Sequence, residues 1–462
     1  MDAGFDDLAS TDPPGSGAGG RGKRMAASRP VVLTAAVAVV VVVAAVTGWL
    51  AHWPGSIFGV TPKPLTWTAA QAPLPADATV GPGGGIESDI AGVACPSAGT
   101  CVAAGGYLNG ESHYGGLIET ASGGRWVPLQ TDWAPYGYPV LDTVACLAPG
   151  RCMAGGHSTL TDPRALVDTR ADGMWTPSSL PLPPAAGEEK YAQLAGLACP
   201  RAGSCVAVGS NWLMTSGPGM PSRAMIQTLS NGAWTAAEAP LPADAAAGAS
   251  QNALLDGVAC TAPGSCVAVG SYIDSDGAVA ALIETLANGT WTPSVAPPPA
   301  GTTTGTAKVG PFLTFVACTA PGSCMAVGGG ADPGSSQPLV ETLANGTWTP
   351  SVAPLPKGAS RRYGGVLDGV ACSAPGTCVV VGSYYTGSSK DGISQGLIET
   401  LAGGAWSAAK APLPGDAAGP GQQTAAIEAV ACATTQSCVA TGNYTDRGGT
   451  TVALLEMARP AG

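Results

Sequence analysis

One pattern recurs seven times along this chain and limits what it can fold into. The pattern is V/L-A-C-x5-C, a hydrophobic residue, Ala, any residue, Gly. It begins at Val93, Val144, Leu197, Val258, Val316, Val370 and Val430, as in VACTAPGSCVAVGSY from Val258. All 14 cysteines of the sequence fall in these pairs. A second motif follows each of the first six pairs and ends in tryptophan, as in LIETLANGTW from Leu282. The tryptophans in register are Trp67, Trp126, Trp175, Trp234, Trp291, Trp348 and Trp406. Self-similarity at such a period marks a repeat architecture in which each unit buries its apolar face against the next.

Each unit reads as four short strands. The runs are rich in Val, Ile and Thr and bounded by Gly, Pro and Asn. Asn288-Gly289 and Asn345-Gly346 match two-residue type I′ hairpin turns between strands three and four. The Pro-Gly of TAPGS joins strands one and two. No helical period is sustained after residue 65. The two motifs are out of phase: Trp67 precedes the first cysteine pair, and no tryptophan follows the last. The final unit therefore lacks a fourth strand, and Leu65–Ala72 is a spare one. Pairing it with the strand near Val452–Met457 closes a ring and removes two exposed sheet edges. The expected fold is an all-β, seven-bladed β-propeller spanning residues 65–462.

Composition agrees with this reading. Hydrophobic residues make up 45% and aromatic residues only 5%, so the core must use small side chains. Charged residues are 11%, and the net charge is −11, which repels phosphate backbones and excludes a nucleic-acid partner. The x5 spacing brackets a tight turn, so each pair faces itself across a hairpin. The expected disulfides are Cys95–Cys101, Cys146–Cys152, Cys199–Cys205, Cys260–Cys266, Cys318–Cys324, Cys372–Cys378 and Cys432–Cys438. Each closes a short loop worth about 2.4 kcal/mol on a chain-entropy estimate. The alternative, zinc, favours C-x2–4-C spacing with added histidines, and the chain has only 3 His.

Ahead of the repeats, Val31–Leu50 (VVLTAAVAVVVVVAAVTGWL) holds no charge and is long enough to cross a bilayer as a helix. Arg21, Lys23, Arg24 and Arg29 precede it, Lys63 follows, and Trp49 and Trp53 mark its distal edge. The positive-inside bias places residues 1–29 in the cytoplasm as a disordered tail. Residues 30–51 are then a signal-anchor helix, residues 52–64 a linker, and the repeats lie outside the cell membrane. The rival reading is a cleaved signal peptide, whose apolar region is normally shorter. Both export the repeats, where disulfides are allowed.

Features present in every unit read as structural. The seven tryptophans are expected to pack between neighbouring blades. The acid on strand three (Glu119, Asp168, Glu284, Glu341, Glu399, Glu456, with Gln227 the exception) is expected to be a hydrogen-bonded structural group. What varies lies on the face carrying loops two–three and four–one. That face should show His113, Tyr114, His157, Lys190, Asp274 and Asp276. Its candidate binding residues are Trp133, Tyr136, Tyr138, Tyr191, Trp212, Arg361, Arg362, Tyr363, Tyr384 and Tyr385, of types favoured at recognition hot spots. The plainer alternative is that they only cover loop backbone. Four residues before the first cysteine stand Asp142, Asp256, Asp368 and Glu428, with Ala91, Ala195 and Thr314 in the other units. On an innermost strand these carboxylates would line the channel mouth, where calcium is the cation to test. The alternative is that they satisfy loop amides. No other cofactor is indicated.

The C-x5-C-x-A-V-G and N-G-x-W repeats resemble those of exported actinobacterial proteins. The turn before each tryptophan is also similar to the Asp-box of sialidase-like propellers, S-x-D-x-G-x-T-W. Here Leu286-Ala287-Asn288-Gly289-Thr290-Trp291 is one residue tighter and lacks the Asp, so Asp-box properties do not carry over. The leading expectation is a binding module at the cell envelope, for a glycan, a peptide or another membrane protein. The alternatives are a sialidase- or glycosidase-like hydrolase, to which Arg164, Arg223 and Arg447 would contribute, and a purely structural envelope protein.

Overall fold

The computed structural model describes residues 65–460 except 80–87, 111–112, 131–136, 138, 159–163, 172, 185–189, 214–220, 300–309, 333–334 and 388–392. The expected tail, signal-anchor helix and linker lie outside the described residues. Among the described residues, no helix is long and apolar enough to cross a membrane.

The strands form seven four-stranded antiparallel sheets. Blades 1 to 6 are consecutive in the chain: residues 88–130, 139–179, 190–238, 253–295, 312–352 and 365–410. Blade 7 takes three strands from residues 425–460 and its fourth from Leu65–Gln71. This closing strand pairs with Thr451–Pro460, from Leu65 opposite Pro460 to Gln71 opposite Leu454. The Ala72 amide then donates to the Ala453 carbonyl at 3.0 Å. The first strand of each blade packs against that of the next, and that of blade 7 against that of blade 1. First strands therefore line the axis. Fourth strands lie outermost.

Local chemistry explains the blades. Asn231, Asn288 and Asn345 have φ near +52°, each followed by a glycine near +79°, as type I′ turns require. All seven expected disulfides are present, each joining Cα atoms 4.0–4.1 Å apart across the hairpin of strands one and two. The glycine that closes each cysteine motif has a separate role. At Gly105, Gly156, Gly209, Gly270, Gly328, Gly382 and Gly442, an added Cβ would collide with a carbonyl oxygen of the first strand. Directly after that contact the first strand bulges, skipping Ala91, Asp142, Ala195, Asp256, Thr314, Asp368 and Glu428 in the register. A bulge of this kind re-aims one side chain out of the alternating pattern.

The core is divided among the seams between blades. Blades 3 and 4, for example, meet through Val208, Ile226, Leu255, Val258 and Tyr272, with Trp291 against them. Trp67, Trp126, Trp175, Trp234, Trp348 and Trp406 hold the same place in the other seams. The closing seam is of the same kind, with Ile90, Tyr107 and Leu117 of blade 1 against Ala453 and Leu455 of blade 7.

Deleting Leu65–Gln71 should expose the edge of Thr451–Pro460 and convert the protein into aggregates on size-exclusion chromatography. Trp67→Ala, which keeps the strand, should cost about 2 kcal/mol in denaturant unfolding. A deletion that stays monomeric and melts as the intact chain does would contradict ring closure.

Candidate functional site

The bulges bring polar side chains to the axis. Asp142, Asp256, Asp368 and Glu428 each occupy one, and each is half-buried beside fully buried neighbours such as Leu141, Leu255, Leu367 and Ile427. Burial raises all four carboxyls, with Asp256 and Asp368 pushed up to about 7. Their grouping is uneven. Blades 7, 1 and 2 carry a connected polar cluster of Glu428, Asp89 and Asp142.

Asp89 and Glu428 meet across the closing seam and share a hydrogen bond. The Asn443 side-chain amide donates to Glu428 Oε1 at 2.7 Å and reaches Asp89 Oδ1 at 3.4 Å. Burial raises both carboxyls. The negative charges of Asp89, Asp368 and Asp142 raise Glu428 further. A hydrogen bond between two carboxyls requires a proton on one of them, and the stronger upward shift is that of Glu428. Tyr114 belongs to the same cluster: burial, then the charges of Asp89 and Glu428, push its hydroxyl up to about 12. A side chain at Gly106 would run into the Tyr114 ring, so this glycine makes room for it. In blade 2, His157 Nδ1 lies 3.1 Å from Asp142 Oδ2, with 23% and 28% of the two side chains exposed.

Register places this cluster near one mouth of the channel. Asp89 lies at the start of a first strand, and Asn443 and His157 near the ends of second strands. Those are the ends that carry the variable loops. On the same face Tyr191 (36% exposed) meets Trp212 edge-on, with ring centroids 6.4 Å apart. Tyr363 meets Tyr385 (37% exposed) at 6.3 Å, and the Arg362 guanidinium sits 5.6 Å over the Tyr363 ring. Arg361 and Arg362 are exposed. Trp133, Tyr136 and Tyr138 lie outside the described residues.

Tyr384 departs from the sequence reading. It is 3% exposed and packs in the seam of blades 5 and 6. It stands where Tyr107, Tyr272 and Tyr444 stand in their blades, and those hydroxyls donate to Asp77, Asp244 and Asp416. The position is a core position that ties down the incoming loop. Asp274 likewise serves its own loop, accepting from the amides of Asp276 and Ala278.

The sequence reading missed Asp89 and Asn443. Asp89 sits two residues before the bulge of blade 1, where the other acids sit in it. The seven-unit alignment shows an alanine at the bulge and hides the carboxylate beside it. Among the described residues, no group of three or more His, Cys, Asp and Glu side chains is placed to hold a metal ion.

The chain is therefore a seven-bladed propeller with a sealed ring and a polar, aromatic-rimmed channel mouth. No protein-family model matches it, and no curated protein does. Among solved structures, it is similar to YCF48 bound to a D1 peptide at 14% identity, over 86% of this chain and 97% of that one, with a TM-score of 0.45. It is similar to the Hadza microbial sialidase Hz136 at 13% identity, over 75% and 73%, with a TM-score of 0.45. For Trypanosoma rangeli sialidase the values are 10%, 73%, 56% and 0.39. These likenesses concern the propeller fold.

Asn443→Ala should lower stability by about 1–2 kcal/mol at pH 7, because it strips a donor from two half-buried carboxyls. Glu428→Gln should be tolerated, since its amide can donate to Asp89 as the protonated carboxyl does. Thermal melts of both variants check this ordering, and the reverse order would refute the shared proton.

Proposed function

We propose that this chain is a membrane-anchored, extracytoplasmic propeller that binds a peptide or glycan of the cell envelope at the channel mouth. The observation that carries this reading is the contrast between the two faces. One repeats the same short turns in blade after blade. The other presents the Tyr191–Trp212 and Tyr363–Tyr385 pairs, Arg362 and the half-buried polar cluster of Asp89, Tyr114, Asp142, His157, Glu428 and Asn443. Rigid aromatic side chains around convergent polar groups are what a recognition site needs. The uncharged run Val31–Leu50, with four basic residues just before it, supports anchoring and export.

A hydrolase finds less support. Glycosidases keep their two carboxyls about 5 Å or more apart to admit the sugar. Asp89 and Glu428 are hydrogen-bonded to each other. Arg223 is engaged by both oxygens of Glu238 at 3.0 Å, and Arg447 by the Gly415 carbonyl.

The test is binding of envelope peptides and glycans to the immobilised propeller, residues 62–462. Trp212→Ala combined with Tyr385→Ala should weaken the interaction at least about tenfold while leaving the melting temperature within a few degrees. Unchanged binding in that double variant would remove this face as the working surface. Turnover of a fluorogenic glycoside would favour the hydrolase instead.

A further inference from the structure

The recurrent acids of strand three behave unlike the hydrogen-bonded carboxylates expected from the sequence. Glu119, Asp168, Glu284, Glu341, Glu399 and Glu456 are all completely buried. Among the described residues, none donates a hydrogen bond to their carboxyl oxygens. An ionised carboxylate in that position would be desolvated with nothing to replace water. Their cross-strand neighbours are uncharged: Ala103 and Pro128 for Glu119, Ala268 and Pro293 for Glu284, Ala326 and Pro350 for Glu341. Glu399 lies between Val380 and Ala408, and Glu456 between Ala440 and Ala69. Among the described residues, no charged group acts on the five glutamates. Burial alone pushes them up, to about 8 for Glu119, Glu284, Glu341 and Glu399 and about 9 for Glu456.

Blade 3 supplies an internal control. Gln227 occupies the same position, is equally buried, and donates from Nε2 to the Pro181 carbonyl at 2.6 Å. Pro181 lies six residues after Trp175, on the segment leaving the preceding blade. A proline stands at that offset after Trp67, Trp234, Trp291, Trp348 and Trp406 as well: Pro73, Pro240, Pro297, Pro354 and Pro412. Each of these belongs to the blade preceding one of the five glutamates. Proline has no N–H, so it offers an acceptor and no donor. A carboxylate has nothing to bond there. A neutral carboxyl, which matches a glutamine amide in shape and donating ability, does.

We propose that Glu119, Glu284, Glu341, Glu399 and Glu456 are protonated in the folded protein at neutral pH, each donating its O–H to the carbonyl of the preceding blade's proline and so latching five of the seams. Each group ionised in the unfolded chain takes one proton from water on folding, and no other bond changes. The sign follows from linkage: a carboxyl raised by folding stabilises fully below its ordinary value, and that stability is lost as pH rises through about 8 to 9.

Asp89, Asp142, Asp168, Asp256, Asp368 and Glu428 titrate in the same direction, so the pH profile of the unaltered protein does not assign the effect. Glu→Gln variants of the full chain do. Glu284→Gln and Glu341→Gln should melt within a few degrees of the unaltered protein at pH 6 and above it at pH 9. The infrared carbonyl band of protonated carboxyls at pH 7 should lose intensity with each substitution. The reverse change, Gln227→Glu, should steepen the decline between pH 6 and pH 9. Glutamine variants that melt lower at both pH values, or an infrared band that does not change, would overturn the proposal.

Discussion

The sheets of neighbouring blades are separate, and the ring holds because each seam packs small apolar residues around one tryptophan. That arrangement has no natural end. The last seam must be as good as the others, or the molecule opens at its weakest point. The strand Leu65–Gln71 meets this condition by completing the sheet of blade 7 and carrying Trp67 into the seam with blade 6. It removes two edges at once, where hydrogen-bonding groups would otherwise be free to pair with another molecule.

The same repeat that builds the blades also builds the site. The glycine of each cysteine motif lets the second strand approach the first so closely that the first must bulge. The bulge turns one side chain per blade towards the axis. Seven positions are thereby offered to the channel, and the chain fills them unequally: three with Asp, one with Glu, two with Ala and one with Thr. Specificity on such a scaffold comes from what breaks the sevenfold pattern. Gly106 replaces a side chain and admits Tyr114; His157 and Asn443 occupy the equivalent places in blades 2 and 7 and bond the carboxyls.

Much of this was legible in the sequence because it recurs. The strands, the Asn-Gly turns, the disulfides and the closing strand follow from spacing alone, and the bulge acids stand out as a column. Single-copy features were less visible. Asp89 is displaced by two residues from that column, so alignment conceals it. Tyr384 looks like a surface aromatic beside Tyr385, yet strand alternation sends adjacent residues to opposite faces and buries the first. The strand-three acids read as structural from their recurrence, but what faces that position across a seam, seen where the Gln227 amide meets the Pro181 carbonyl, emerges only in the folded arrangement.

The disulfides have a consequence for how the molecule matures. Fourteen thiols permit a very large number of pairings, but here each partner is the nearest one, six positions away in the chain. Short loops close fastest, so the correct bond is also the first to form. A chain delivered from one end can thus oxidise hairpin by hairpin before its remainder arrives. Only the final non-covalent zipping waits for Leu65–Gln71 to meet Thr451–Pro460.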